Sequence, residues 1–336
     1  MTAEESTSAL LEKAIASRTH LFDPGHETAF RLFNGFSEGN PHLLVDVYAE
    51  TAIIYNYAKP AENAAGAVDE TLTLIQKLLP WIKTVMLKIR DSEITEERNG
   101  RVISGIVSSS MAIVENNIRY AINLWMNRDA SFYLDTRNLR TWAMENMRGK
   151  TVLNTFAYTG SLGVAAMAGG AARVVQLDRN KKFLELAKKS CEMNGFSFSD
   201  KDFLAGDFWR QISHFKKKNE RFDCVFLDPP FFAVNRECVV DMVNNSARMI
   251  NKVRPLINDG GYLVVINNAL YVSGVEYMRT LEGLASDGYL KITEIIPVPK
   301  DLVGYSNEYS AKQITDPAPF NHSTKIAVLE VRRKTV

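Results

Sequence analysis

The fold is decided by residues 151–178, which read TVLNTFAYTGSLGVAAMAGGAARVVQLD. The apolar run at its start is typical of a buried strand, the turn at 158–161 precedes a helix of small residues, and the run ending at Asp178 is a second strand. The same alternation continues along the chain, with helices predicted at 180–194 and 239–254 and strands at 201–207, 222–228 and 261–268. Strands that alternate with helices in this way indicate βαβ units, so we predict a doubly wound, Rossmann-like α/β sheet.

The residues before this sheet have a different pattern. Two short strands are predicted at 42–48 and 51–57, and two more flank Asn116 and Asn117, a pair that suits a tight hairpin turn. A chain of 336 residues is long enough for two domains. We therefore expect a small α+β domain at 1–130, which is a possible substrate-binding or RNA-binding domain, and a larger catalytic domain at 131–336.

Composition excludes several classes of protein. Lys and Arg number 40 against 39 Asp and Glu, and no apolar run approaches the length of about 18 residues that a membrane span requires. The three cysteines, Cys191, Cys224 and Cys238, have no spacing that suggests disulfides or a zinc site, and the five histidines share no metal-binding pattern. We expect a cytoplasmic protein that has neither a membrane segment nor a metal.

Polar residues follow four of the predicted strands. Gly160, Asp178, Asp207 and Asp228 each lie where a strand ends, and ligands of open parallel sheets bind at that edge. Each also has a structural alternative: Gly160 as a loop glycine, Asp178 and Asp207 as helix N-caps, and the prolines after Asp228 as the end of a strand. A dehydrogenase would need a G-x-G-x-x-G motif, which is missing after every strand, so the pattern favours S-adenosylmethionine over a dinucleotide.

Five motifs of residues 131–268 are informative together: SFYLDTR (131–137), VLNTFAYTGSLGV (152–164), VVQLDRN (174–180), FDCVFLDPPFF (222–232) and VINN (265–268). With these motifs the segment resembles the class I methyltransferases that modify large-subunit ribosomal RNA. One branch of that family makes 5-methylcytosine, and another methylates N7 of guanine. The resemblance extends to RLFNGFSEGNPHLLVDVY (31–48), which is similar to the small domain that precedes the catalytic domain in the family.

This resemblance implies an enzyme that uses S-adenosylmethionine as its cofactor. By position, Tyr158 and Gly160 would contact the methionine part of the cofactor, Asp178 the ribose and Asp207 the adenine. Arg137 would lie near the cofactor or the substrate; the alternative for this residue is a surface or structural ion pair.

The motif Asp228-Pro229-Pro230-Phe231 resembles the one that nitrogen-methylating enzymes use to hold a base. There the acidic side chain and the first proline carbonyl accept hydrogen bonds from the base, and the aromatic ring stacks on it. The sulfonium group of S-adenosylmethionine already activates the methyl group, so no metal is needed. Catalysis then consists mainly of orienting the accepting nitrogen toward the methyl group.

Cysteine usage separates the two branches, because formation of 5-methylcytosine needs a thiolate nucleophile. In the branch that makes it, a cysteine follows the later strand. Here that strand ends at Asn267 and Asn268, as in the N7-guanine branch. Cys238 remains an alternative thiol, and the polar segment 319–325 is either a cover over the site or a structured turn.

We therefore predict a methyltransferase that acts on a ring or exocyclic nitrogen of a base in ribosomal RNA, with RNA as its partner. The alternatives are methylation of a small molecule or protein, formation of 5-methylcytosine, and a non-catalytic assembly factor that binds cofactor or RNA. The basic residues Arg210, Arg221 and 216–218 suit either phosphate contacts or a solvated helix end.

Overall fold

The computed structural model describes residues 5–107, 111–126, 129–230, 239–305 and 315–333. The chain divides into two compact units, Met1–Leu134 with Pro299–Gln313, and Asp135–Val298 with Ile314–Val336. The first division lies four residues beyond the expected boundary at 130. The second division differs from expectation, because the described residues 299–305 lie within the expected catalytic domain 131–336 but group with the first unit.

The first unit is built on a five-stranded sheet. Its strands are β1 (Ala29–Asn34), β2 (Leu43–Tyr48), β3 (Thr51–Asn56), β4 (Thr84–Ile89) and β5 (Arg101–Ser104), in that spatial order. Its helices are α1 (Thr7–Arg18), α2 (Gly35–Glu38), α3 (Ala65–Leu78), α4 (Thr95–Asn99) and, from the returning segment, α11 (Lys300–Val303). β3 and β4 are parallel, and α3 supplies the crossover that a parallel pair requires.

A separate hairpin completes the first unit. β6 (Met111–Glu115) pairs antiparallel with β7 (Ile118–Ile122). Asn116 and Asn117 both have positive φ, 52° and 63°, as the two central residues of a type I′ hairpin turn require. The hairpin predicted from the two asparagines is present.

Hydrogen bonds beside a buried ion pair connect the returning segment to the rest of the first unit. The Arg18 guanidinium donates to both carboxylate oxygens of Glu38, at 2.8 and 3.0 Å, and to the carbonyl of Asp301 at 3.0 Å. The Asp301 carboxylate accepts from the backbone N–H of Arg31 at 2.9 Å. Since the two bonds to Asp301 join residues 283 and 270 positions apart, local sequence patterns give no sign that 299–305 belongs here.

Replacing Arg18 with Met should lower the free energy of unfolding of the first unit by about 3–5 kcal/mol, because Glu38 would keep a buried charge without its cation. The matched control is Lys13→Met, which breaks the Lys13–Glu5 pair, whose lysine side chain is 67% exposed. This control should cost less than about 1 kcal/mol. Urea unfolding followed by tryptophan fluorescence measures both. An equal decrease in the free energy of unfolding of the two variants would contradict the stabilising role of the buried Arg18–Glu38 pair.

The second unit contains a seven-stranded sheet with helices on its two faces. Its strands are β8 (Thr151–Thr155), β9 (Arg173–Asp178), β10 (Phe203–Ala205), β11 (Phe222–Leu227), β12 (Ile257–Asn267), β13 (Leu290–Ile295) and β14 (Lys325–Val331). Its helices are α5 (Arg137–Asn146), α6 (Ser161–Ala168), α7 (Lys181–Met193), α8 (Phe208–Lys217), α9 (Val239–Val253) and α10 (Gly274–Ala285).

The strand order β10-β9-β8-β11-β12-β14-β13 identifies the place where a ligand binds. From β8 the chain proceeds outward to β9 and β10, then crosses back to β11 on the other side of β8. The carboxyl ends of β8 and β11 therefore flank the topological switch point, where open α/β sheets bind ligands. The predicted doubly wound, Rossmann-like class I sheet is confirmed.

Apolar residues cover both faces of this sheet. One face packs against α8, α9 and α10 through Phe208, Ile250 and Leu281, and the other against α5 and α6 through Leu139 and Ala165. Burial on both faces explains why the parallel strands are almost continuously apolar. Within the described parts of the chain, no helix is long and apolar enough to cross a membrane.

Candidate active site

Two carboxylates lie at the same edge of the sheet, on either side of β8. The pairing registers align Leu177 of β9, Thr155 of β8 and Leu227 of β11 in one row. Asp178 and Asp228 are the next residues of their strands. With two strand spacings between them, their backbones are about 10 Å apart.

Asp178 is fixed by backbone hydrogen bonds. Its Oδ2 accepts from the N–H of Tyr158 and its Oδ1 from the N–H of Asn180, each at 2.8 Å. The residue is only partly buried, and each carboxylate oxygen retains a second lone pair. The structure thus brings Tyr158 and Asp178 together and leaves the carboxylate able to accept two hydroxyl groups.

The turn after β8 has an unusual backbone. Phe156, Tyr158 and Gly160 all have positive φ, 54°, 51° and 76°, and the first two are residues that seldom adopt it. Backbone strain of this kind is concentrated at functional sites. The Tyr158 ring packs edge-on against Phe183, with 4.6 Å between the centroids, so the tyrosine is supported on both its backbone and its ring.

Gly160 is required by packing. A Cβ atom at this position would lie 2.4 Å from the Cβ of Ala187 and 3.0 Å from Nε2 of Gln176. Gln176 Nε2 also donates to the Gly160 carbonyl at 3.2 Å. Close packing inside the protein therefore explains the glycine, and its contact with the methionine part of the cofactor stays a prediction.

Asp207 and Arg137 lie at helix N-termini. Asp207 is the N-cap of α8, and its Oδ1 accepts a hydrogen bond from the N–H of Arg210 at 3.1 Å. The helix N-cap that was the structural alternative for this residue is therefore present. The Asp207 side chain is exposed and its second oxygen is available to a ligand. Arg137 is the first residue of α5 and is partly buried. Their roles toward the cofactor stay predictions.

Asp228 carries a polar atom that the described protein does not satisfy. Its Oδ1 is buried and has no hydrogen-bond partner among the described residues. Burial, together with the nearby charge of Asp135, raises the pKa of the Asp228 carboxyl from 3.8 to about 7. Pro229 beside it is buried and Pro230 exposed, whereas Phe231 and Cys238 lie outside the described residues.

Asp135 is a site residue that the sequence reasoning missed. It belongs to the SFYLDTR motif, in which the resemblance points to Arg137 alone. Its Oδ2 accepts a 2.7 Å hydrogen bond from Thr324 Oγ1, and the Thr324 N–H in turn donates to Nδ1 of His322 at 3.0 Å. Segment 319–325 is thus a structured turn that also holds a carboxylate near Asp228.

Asn267 presents a buried donor at the end of β12. Its Oδ1 accepts from the N–H of Ala269 at 2.9 Å, but its Nδ2 has no partner within the described part of the chain. Lys325 pairs with Asn267 across β12 and β14, and its Nζ donates to the carbonyls of Ala269 and Ser323. Burial lowers the pKa of Lys325 to about 8.

The described cysteines are unsuited to nucleophilic attack. Cys191 and Cys224 are both buried, and burial raises the pKa of both thiols, that of Cys191 to about 12. Thiols of this kind carry almost no thiolate at neutral pH. In the described ranges, no group of three His, Cys, Asp or Glu residues is arranged to hold a metal ion.

Stability should depend on the protonation of Asp228. Because the folded protein keeps this proton up to about pH 7 while an unfolded aspartate loses it near 3.8, the free energy of unfolding falls as the pH rises between these values. Asp228→Asn should therefore be more stable than the native protein by roughly 1–3 kcal/mol at pH 8 and nearly equal to it at pH 4.

Chemical denaturation at both pH values measures the effect. The matched control is Glu282→Gln, which removes an exposed carboxylate of α10. This control should change stability by less than about 0.5 kcal/mol at either pH. A gain for Asp228→Asn that is the same at pH 4 and pH 8 would show that its charge is not the cause.

Known proteins with similar sequences and structures are methyltransferases. A protein named ribosomal RNA large subunit methyltransferase I from Alteromonas mediterranea is 28% identical over 96% of this chain and 79% of its own length. The protein of the same name from Vibrio cholerae is 29% identical over 82% of this chain and 70% of its own. A solved methyltransferase structure complexed with SAH has a TM-score of 0.82 at 20% identity, over 97% of this chain and 81% of that one.

The structural match shows the same fold. The sequence relatives agree with the resemblance found in the motifs, and the family model of S-adenosylmethionine-dependent methyltransferases matches residues 43–289. The chain therefore belongs to the S-adenosylmethionine-dependent methyltransferase family and is an enzyme that uses this cofactor.

Proposed function

We propose that this enzyme methylates a base nitrogen of ribosomal RNA in the cytoplasm by direct, in-line methyl transfer. The RNA substrate is supported by the names of the relatives from Alteromonas mediterranea and Vibrio cholerae. The nitrogen target rests on one observation: the buried Oδ1 of Asp228, at the switch point of the sheet, has no partner in the described protein.

The residues at the edge of the sheet fit S-adenosylmethionine. The Asp178 carboxylate is oriented by two backbone N–H groups and has lone pairs left for the two ribose hydroxyls. Tyr158 and Gly160 would contact the methionine part, Asp207 would accept from the adenine amine through its second oxygen, and Arg137 would lie nearby. When bound, the cofactor supplies an electrophilic methyl group on sulfur.

Asp228 and Pro229 would hold the nitrogen that receives the methyl group. A proline has no N–H of its own and a restricted backbone, so its carbonyl is a rigid acceptor beside the carboxylate. Two acceptors that bind N–H groups of a base orient its nitrogen lone pair toward the methyl group, and such orientation lowers the barrier by several kcal/mol, about 7–11 in the best cases. Phe231 would stack on the base.

Asp228 also suits proton transfer. An exocyclic amine that gains a methyl group becomes cationic and must lose one proton, which the Asp228 carboxylate would accept. A general base works best when its pKa is close to the working pH, and that of Asp228 is about 7. Asn267 would donate to an acceptor on the base through its Nδ2–H, which has no partner among the described residues.

Formation of 5-methylcytosine is disfavoured by the buried thiols of Cys191 and Cys224. That route would depend on Cys238. Methylation of a small molecule or protein remains an outcome of the test.

The test incubates the protein with ribosomal RNA from a strain that lacks the gene and with methyl-labelled S-adenosylmethionine, followed by nucleoside mass spectrometry. We expect label in a nitrogen-methylated base. Asp228→Ala should lower the methylation rate at least 10²-fold while the affinity for S-adenosylmethionine stays within about twofold of the native value.

Asp228→Asn distinguishes the two kinds of nitrogen. Asn keeps an oxygen acceptor but accepts no proton, so the variant should be inactive on an exocyclic amine and active on a ring nitrogen that bears no proton. Labelled 5-methylcytosine, or RNA without label when the cofactor binds normally, would refute the proposal. Full activity of Asp228→Ala would refute the role of this carboxylate.

A further inference from the structure

The two units differ in charge. Residues 1–134 and 299–313 contain 14 Lys and Arg against 19 Asp and Glu, whereas the rest of the chain contains 26 against 20. The first unit is thus net negative and the second net positive, although the whole chain has a charge of only +1. Because affinity for RNA depends on contacts of Lys and Arg with phosphates, the second unit is the better candidate for binding the RNA backbone.

Cations of the second unit gather on two neighbouring helices. We define the α8–α9 basic surface as Arg210, Lys216 and Lys217 of α8 with Arg248 and Lys252 of α9. The helices are joined there by two contacts: Lys252 Nζ donates to Ser213 Oγ at 3.0 Å, and the Arg248 guanidinium lies over the Trp209 ring, 4.6 Å from its centroid.

A cleft opens within this surface. It has a volume of about 390 Å³ and is lined by Arg210, Gln211, Ser213, His214 and Lys217. Arg210, His214 and Lys217 recur at intervals of four and three residues, so they lie on one face of α8. All three are exposed. The lining therefore offers cationic and hydrogen-bonding groups in a concave setting that suits a phosphate.

These cations have no acidic partners in the described structure. None of the five residues of the α8–α9 basic surface forms an ion pair with a described Asp or Glu, whereas Arg173 pairs with Asp202 and Glu220. Burial and the charge of Lys252 also lower the pKa of Lys216, so the surface holds like charges together at a cost in free energy. An anion bound there would remove that repulsion.

The alternative explanation is that basic residues stabilise the C-terminus of a helix. It accounts for Lys216 and Lys217, which occupy the last turn of α8. It does not account for Arg210, which lies in the first turn, where a cation is unfavourable, or for Arg248, which belongs to another helix. A common ligand explains the whole cluster.

We propose that the α8–α9 basic surface binds the phosphodiester backbone of the RNA that flanks the target nucleotide. This inference rests on the proposed function for the identity of the polyanion. The position of the surface supports this proposal. Ala205 of β10 is the register partner of Asp178, and α8 starts directly after β10. The surface therefore begins at the edge of the sheet where the candidate site lies. From there it extends along α8 for about 15 Å.

The experiment compares two double variants that remove equal charge from the same unit. Arg210→Gln with Lys217→Gln alters the surface, and Arg148→Gln with Lys291→Gln removes exposed cations from the turn after α5 and from β13. Binding of ribosomal RNA fragments is measured by fluorescence anisotropy over a range of salt concentrations. Methylation kinetics and calorimetric binding of S-adenosylmethionine are measured in parallel.

We expect the surface variant to lower the slope of log K against log salt by about 1.4, because two contacts with single-stranded phosphates are lost. Its KM for RNA should rise, while kcat at saturating RNA and the affinity for S-adenosylmethionine should not change. The control double variant should keep the native slope and KM.

Equal effects in both double variants would show that overall charge is responsible and would overturn the inference, as would a native slope in the surface variant. Different results would refute the proposed function and the proposed surface. RNA that binds through the surface but is never methylated would refute the activity and leave the binding surface intact. RNA that is methylated equally well by the surface variant would refute the surface alone.

Discussion

The site depends on a carboxylate that the described protein buries and leaves unsatisfied. Asp228 Oδ1 has no hydrogen-bond partner among the described residues, and the nearby Asp135 opposes its ionisation. An unpaired buried polar group costs free energy comparable to that of a lost hydrogen bond, and a neighbouring like charge adds to it. The remainder of the fold must supply enough stability to hold this arrangement, and a bound base would recover part of the cost by donating the missing hydrogen bond.

The sheet supplies that stability because both of its faces are buried. Its central parallel strands hold Asp178 and Asp228 on a common row, while the strained turn at Phe156 and Tyr158 is fixed from both sides by backbone and ring contacts. Rigid strands therefore position the carboxylates, and the turn between them orients the group nearest to Asp178. This division of roles supplies orientation, which is the main contribution expected of the protein in an in-line methyl transfer.

Strand periodicity predicted the sheet, the hairpin at Asn116 and the strand-end aspartates, since these depend on local patterns. The partnership of Asp135 with Thr324 could not be predicted in this way, because 189 residues separate them and only the return of β14 to the sheet edge brings them together. The membership of 299–305 in the first unit depends likewise on distant bonds to Arg18. The sequence suggested that Gly160 allows a ligand to approach the backbone. The structure shows instead that a side chain at this position would clash with Ala187 and Gln176.

The central claim is that Asp228 titrates near neutral pH because it is buried beside Asp135. The most direct measurement follows the ¹³C chemical shift of its side-chain carboxyl against pH, in protein labelled at aspartate, with the signal assigned by its loss in Asp228→Asn. The account predicts a midpoint of about 7. A midpoint close to 4 would show a carboxylate that is already solvated or paired, and would contradict both its unsatisfied state and its suitability as a proton acceptor.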